Sequence, residues 1–132
     1  EKAEQLRVDL GAPLITIERV RTADGRPVVY SLDTLSEALI QRAEFDLQRL
    51  RTESIYSILQ TSIGQAIEYG MARLRPVAAP HHVAEKLHLP PNALTLYIVQ
   101  TDYSSGDIPV VYSCEYHLPD AFDFLVWRRG AP

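Results

Sequence analysis

The sequence is poor in the residues that build most catalytic and metal-binding motifs. Its 132 residues include one cysteine, one methionine and one tryptophan, and its four histidines form no ligand-spaced cluster. A single thiol, Cys114, excludes a disulfide framework within the chain, and its apolar context favours a role in packing. The six glycines form no phosphate-binding loop, and no nucleophile elbow is present. We therefore expect no metal site, no cofactor and no catalytic residue.

Long hydrophobic runs and an excess of positive charge are also missing. No apolar stretch approaches membrane-spanning length, and no signal-peptide pattern occurs. We therefore expect a cytoplasmic protein without membrane contacts. The net charge of −4 argues against direct nucleic-acid binding, because phosphate contacts need a basic face. The length and the 46% hydrophobic content are those of one globular domain, which we place at residues 1–132.

An internal repeat is the main guide to the fold. The run Pro-Val-Val-Tyr-Ser occurs at residues 27–31 and again at residues 109–113. Nearly the same offset aligns an Ala-Glu-x-Leu run and a turn glycine: residues 3–6 with 84–87, and Gly25 with Gly106. Each copy has the pattern of a short helix, a strand, a glycine turn and a second strand. The sequence therefore predicts two diverged αββ units joined by a helical middle.

Periodicity places the remaining elements. Alternating residues predict hairpins around the Asp24-Gly25 turn and around residues 105–107. In the middle of the chain, the patterns predict a short helix over 37–41 capped by Ser36, and then a segment held in place by the apolar side chains of Phe45, Leu47 and Leu50. A longer helix is predicted to begin at residues 52–54 and to end at Gly64. A strand over 67–77, a helix begun by Pro80 and a last strand over 122–126 complete the predicted elements. The prediction is an α+β fold with five or six mainly antiparallel strands and short flanking helices on one side.

Divergence between the two copies indicates a candidate site. Arg19 aligns with Gln100, and Arg21 aligns with Asp102. Residues two apart on a strand point to one face, and two inward cations are costly unless an anion meets them. Arginine is well shaped for carboxylate or phosphate recognition. In the alternative interpretation both arginines pair with internal acids, such as Glu115 or Asp102, or extend into solvent.

Two further groups complete the candidate site. A partly polar row shares one face of the last predicted hairpin strand: Val111, Ser113, Glu115 and His117. This row is either a pocket wall or the solvent face of an edge strand. Ser54 and Tyr56 lie at the start of the central helix, where free N–H groups favour an anion. Alternatively, Ser54 only caps the helix and Tyr56 only packs in the core.

Residues 17–27 resemble the opening of the UTRA domain, the effector-binding domain of GntR-type transcriptional regulators of the HutC subfamily. Further motifs match in the same order: Ser54-Ile55-Tyr56, residues 84–87, Gly106 with Pro109, and Asp120 with Phe122 and Phe124. The resemblance covers essentially the whole chain. It implies a chorismate-lyase-like fold, a small-molecule effector, a homodimer, and a separate N-terminal winged helix-turn-helix that binds operator DNA. Since Glu1 is not a natural start, we expect the chain to be part of a longer bacterial protein.

The resemblance also assigns roles within the pocket. In phosphosugar-sensing relatives, two first-strand arginines and a Ser-x-Tyr hold an acidic group, and these correspond to Arg19, Arg21, Ser54 and Tyr56. Two acids that hold the sugar in those relatives fall on Ser31 and Val111, so neither acid is kept. A Tyr-Arg-x-Asp pattern near the end becomes residues 117–120, which begin with His117. The resemblance thus implies that the residues that bind the anion are retained and the acids that bind the sugar are not.

Three hypotheses follow. The first is an effector-sensing domain without catalysis, whose anionic ligand contacts Arg19, Arg21, Ser31, Ser54, Tyr56, Val111, Ser113, Glu115 and His117. The second is a chorismate-lyase-like enzyme in which Arg19 or Arg21 grips a carboxylate and Glu115 is the acid. The third is a dimerisation module with a vestigial pocket.

Overall fold

The computed structural model describes residues 2–7, 10–42, 47–63 and 66–130. Its regular elements are α1 (Lys2–Gln5), β1 (Leu14–Ala23), β2 (Arg26–Ser36), α2 (Glu37–Arg42), a 3-10 helix (Leu47–Arg51), α3 (Ile55–Ile63), β3 (Tyr69–Ala78), α4 (His81–Lys86), β4 (Leu94–Ser104) and β5 (Ile108–His117). The predicted anchor Phe45 and helix end Gly64 lie outside the described residues. The other predicted helix starts and both hairpins are confirmed within a few residues.

One five-stranded sheet with the order β1-β2-β5-β4-β3 carries the fold, and all of its neighbours are antiparallel. The centre is the pairing of β2 with β5, which joins the two repeats. In this register Ser31 lies opposite Glu115 and Asp33 lies opposite Ser113. The repeat offset maps Ser31 onto Ser113 and Asp33 onto Glu115, so the two copies are related by a local twofold axis through the sheet. This symmetry confirms the predicted αββ duplication.

Both hairpins turn through residues with positive φ. Asp24 and Gly25 have φ values of 51° and 77°, and Gly106 and Asp107 have values of 77° and 59°. Two successive positive φ values are typical of the tight turns that match the twist of paired strands. The glycine is therefore explained in both copies by the positive φ value that each turn requires.

Serine side chains start two of the helices. Ser36 Oγ accepts the Leu39 N–H at 3.1 Å, and Ser54 Oγ accepts the Ser57 N–H at 3.0 Å. Each bond satisfies an N–H that has no partner within its helix. The predicted cap at Ser36 is confirmed, and the same role is observed at Ser54.

Two hydrophobic clusters hold the helices against opposite faces of the sheet. Val28 and Tyr30 of β2 pack with Val83 and Leu87 of α4. Leu35 and Val111 point to the other face and pack with residues of α2 and α3, namely Leu39, Ile55 and Leu59. The prediction of helices on one side is therefore wrong, because successive residues of β2 are buried in both directions. No helix of the described residues is long and apolar enough to span a membrane.

The predicted last strand over 122–126 is also wrong. Residues 122–130 have no regular secondary structure. The rings of Phe122 and Phe124 instead pack edge-on against His117, with centroid separations of 4.9 Å and 5.4 Å. Their alternation therefore reflects two rings that pack on one side chain, and not backbone pairing.

The turn geometry predicts the cost of adding a methyl group. Gly25→Ala and Gly106→Ala should each lower the free energy of unfolding by about 1–2 kcal/mol, the cost of a left-handed conformation for an alanine. No atom lies within 4 Å of either added methyl, so the loss measures the backbone alone. Gly130→Ala, with equal space and no positive φ, is the control and should change urea-induced unfolding by less than about 0.5 kcal/mol. Equal stability of all three variants would contradict the turn assignment.

Candidate functional site

One face of the sheet is unusually polar beneath the start of α3. By strand register it carries Arg19 and Arg21 of β1, Ser31 and Asp33 of β2, Ser113 and Glu115 of β5, and Gln100 and Asp102 of β4. A cavity of about 280 Å³ lies between this face and the first turn of α3. We call it the central cavity. Seven predicted residues line it: Arg19, Arg21, Ser54, Tyr56, Val111, Ser113 and Glu115.

Arg19 is held by a buried acid. One of its terminal nitrogens donates to Asp33 Oδ2 at 3.2 Å, and Asp33 Oδ1 accepts from Ser113 Oγ at 2.7 Å. Asp33 is only 3% exposed, so a buried carboxylate holds the Arg19 guanidinium in place. Arg19 Nε is buried and has no partner among the described residues. The guanidinium is therefore positioned while keeping a donor for another group.

Arg21 is held more loosely. Its guanidinium lies 3.9 Å from Glu115 Oε2, and its side chain is 49% exposed. The other oxygen of Glu115 lies 2.9 Å from His117 Nε2. This hydrogen bond, more than any other contact, holds the pKa of Glu115 below its ordinary value. Glu115 is therefore ionised at neutral pH, while the Arg21 side chain is half-exposed and lines the central cavity.

Asp102 is the third carboxylate of this face, and its surroundings differ. It is 2% exposed, and it accepts from the Tyr56 hydroxyl at 2.8 Å and from Gln100 Nε2 at 2.6 Å. Within the described residues no arginine, lysine or histidine pairs with it. Burial raises the pKa of Asp102, and the nearby Asp33 and Glu115 add to the shift.

A second cavity lies beyond Tyr56. It has a volume of about 440 Å³ and shares Tyr56 and Gln100 with the central cavity, and Asp102 forms part of its wall. We call it the outer cavity. On its floor, a Cβ added to Gly70 would lie 2.5 Å from Asp102 Oδ1 and 2.8 Å from Gln100 Nε2. A glycine at position 70 therefore leaves the space that the Gln100–Asp102 hydrogen bond occupies.

The structure separates the predicted site residues into two groups. Ser31 and His117 are both buried, with 0% and 7% exposure, and neither lines the central cavity. His117 acts on the cavity through Glu115. Asp33 and Gln100 line the cavity and were missed. The repeat offers the signal for Asp33, because it aligns with the predicted Glu115.

The comparisons with known proteins identify the family. The family model described as UTRA domain matches residues 1–123. The chain therefore belongs to the UTRA domain family. A search of curated proteins gives no match.

Solved structures show the same fold. A GntR-family transcriptional regulator from Enterococcus faecalis is 21% identical with a TM-score of 0.85, and the alignment covers 96% of this chain and 88% of that one. The ligand-binding domain of a protein assigned to the GntR family of transcriptional regulators, from Bordetella bronchiseptica, is 22% identical with a TM-score of 0.89, over 96% of this chain and 78% of that one. PhnF from Mycobacterium smegmatis is 20% identical with a TM-score of 0.83, over 98% and 56%.

The different surroundings of Asp102 and Asp33 predict opposite effects of neutralising them. Because folding raises the pKa of Asp102 above its ordinary value of 3.8, ionisation of this side chain lowers the free energy of unfolding once the pH is higher than 3.8. Asp102→Asn should therefore raise the free energy of unfolding at neutral pH, and the gain should vanish near pH 3.8. The asparagine oxygen can still accept from Tyr56, and the Gln100 amide can turn to accept from the new NH₂ group.

Asp33→Asn is the matched comparison. It removes the counter-ion of Arg19 and should lower the free energy of unfolding by up to about 3 kcal/mol, the low end for buried pairs, because the Arg19 side chain keeps 18% exposure. Urea unfolding at several pH values measures both variants. A loss of stability in Asp102→Asn at neutral pH would contradict this account of Asp102.

Proposed function

We propose that the chain is the effector-sensing domain of a cytoplasmic bacterial transcription regulator, and that it binds a small molecule through an acidic group without transforming it. The central cavity holds the ligand. The acidic group, a carboxylate or a phosphate, binds at Arg19 and Arg21 beside the N-terminus of α3. Membership of the UTRA family supports the sensing role.

The unsatisfied donors of the two arginines carry the proposal. Among the described residues, Arg19 has a buried Nε without a partner, and the one ion pair of Arg21 is a 3.9 Å contact with Glu115. A carboxylate or phosphate satisfies several guanidinium N–H groups at once. Ser54 and the first residues of α3, Ile55 and Tyr56, line the same cavity, where the helix dipole favours negative charge. Both features favour an acidic ligand over a neutral one.

The proposal extends to the partners of the domain. We infer a homodimer, because β3 is an edge strand that is exposed along nearly its whole length, with apolar side chains on both faces, Met71 at 67% and Leu74 at 49% exposure. We also infer that operator DNA is bound by a separate N-terminal domain, since the net charge of −4 does not suit phosphate contacts.

Sedimentation tests the homodimer. The measured mass of this chain in solution should be twice the 14.9 kDa mass of one chain. A monomer at all accessible concentrations would contradict the dimer.

Arg21→Ala tests the anion site. A panel of small phosphates and carboxylates is first screened by thermal shift, where a ligand at about 100 times its Kd adds about 2.7 kcal/mol of stability. For the strongest binder, Arg21→Ala should weaken affinity by about 2–5 kcal/mol in calorimetry. The unliganded variant should unfold within about 0.5 kcal/mol of the wild type, because the half-exposed Arg21 contributes little to stability.

Arg26→Ala is the control for loss of a cation. Arg26 follows the Asp24-Gly25 turn that ends the strand of Arg21, and both side chains of its ion pair with Asp120 are exposed. This variant should keep the affinity for the anionic ligand. Equal losses of affinity in both variants, or an unchanged affinity in Arg21→Ala, would refute an anion site in the central cavity.

A further inference from the structure

The two copies of the repeat place opposite charges at one pair of equivalent positions of the polar face. Arg19 of β1 lies opposite Ser31, and its counterpart Gln100 of β4 lies opposite Ser113. Arg21 lies opposite Val29, and its counterpart Asp102 lies opposite Val111. The local twofold axis therefore relates a cation at one end of the face to a carboxylate at the other.

The charges at the arginine end are already balanced. Asp33 faces Arg19 at 3.2 Å, and Glu115 faces Arg21 at 3.9 Å. Asp33 and Glu115 are themselves equivalent in the repeat, so each copy supplies one of these acids. Two cations are thus matched by two carboxylates before any ligand arrives.

Asp102 is left without a counter-ion among the described residues. It is 2% exposed, and its two hydrogen-bond donors, Tyr56 and Gln100, are both uncharged. A ligand with acidic groups alone would add negative charge to a face that already has this surplus carboxylate. Repulsion of that kind opposes binding most strongly where water is displaced.

We propose that the effector is zwitterionic, with a cationic group that binds against Asp102 while its acidic group binds at Arg19 and Arg21. This inference rests on the proposed anion site. Tyr56 and Gln100 form a wall that the two cavities share, so a ligand that spans from the arginines to Asp102 extends past these two side chains. An ammonium group supplies the donors and the charge that the carboxylate lacks.

Matched pairs of probes test the charge of the far group. ω-Aminoalkyl phosphates of increasing chain length are compared with ω-hydroxyalkyl phosphates of the same length, by calorimetry with the intact protein at neutral pH. At the best length, the amine should bind about 10- to 100-fold more tightly than the alcohol, the range expected for a hydrogen bond between charged groups. Equal affinities, or a preference for the alcohol, would overturn the inference.

The variant Asp102→Asn tests whether Asp102 is the residue that causes the preference for the amine. This variant should bind both members of a pair with similar affinity, close to that of the wild type for the alcohol. Glu85→Gln is the control for net charge, because Glu85 is exposed on α4 at the opposite face of the sheet, and it should keep the preference for the amine. A preference that survives in Asp102→Asn places the cationic group elsewhere and overturns the inference.

Arg21→Ala separates this inference from the proposed function. If both probes bind equally and both lose affinity in Arg21→Ala, the anion site stands and the zwitterion is wrong. If no phosphate probe binds, or if Arg21→Ala changes nothing, the anion site fails and the zwitterion fails with it. Support requires both the loss of affinity in Arg21→Ala and the loss of the amine preference in Asp102→Asn.

Discussion

The antiparallel pairing of β2 with β5 is the constraint on which the rest of the structure depends. Each repeat alone is a two-stranded hairpin with a short helix, and such a hairpin is marginally stable in water. Joining the copies buries the two Pro-Val-Val-Tyr-Ser runs at the centre of the sheet, where Val29 is 2% exposed and Val111 is 1% exposed. Because a one-residue slip would exchange the two faces of a strand, this register also decides which side chains reach the polar face.

Much of the fold follows from local sequence. The turn residues Asp24 and Gly25 and the alternation along β1 and β5 are signals between near neighbours in the chain. The repeat extends them from one copy to the other. They predicted the hairpins, and the parity of Arg19 with Arg21 correctly placed both on one face. The last strand was mispredicted because alternation records only which side chains lie on the same side, and Phe122 and Phe124 share a side by packing on His117 without pairing of their backbone.

The partners of the site residues could not be predicted from the sequence in the same way. Arg21 pairs with Glu115, as the alternative interpretation of the sequence has it, but Arg19 pairs with Asp33 across the β1–β2 hairpin, an acid that this interpretation does not name. Which acid faces which arginine depends on a register with a β-bulge between Arg21 and Thr22 and on the pairing of strands far apart in the chain. The bond from Tyr56 to Asp102 joins residues from the connecting helix and the second copy. Contacts of this range are fixed by packing and not by spacing.

The connecting segment makes an otherwise symmetric sheet asymmetric. The equivalent helices α1 and α4 belong to the face opposite the site, where Gln5 bonds Thr101 and His82 packs on Tyr30. The polar face is covered by α3, which has no equivalent in either repeat and packs on residues from both copies. A ligand changes a conformational equilibrium only by binding one arrangement more tightly than another. The central cavity lies between the sheet and the first turn of α3, so a ligand bound there would contact both copies of the repeat and the helix that belongs to neither.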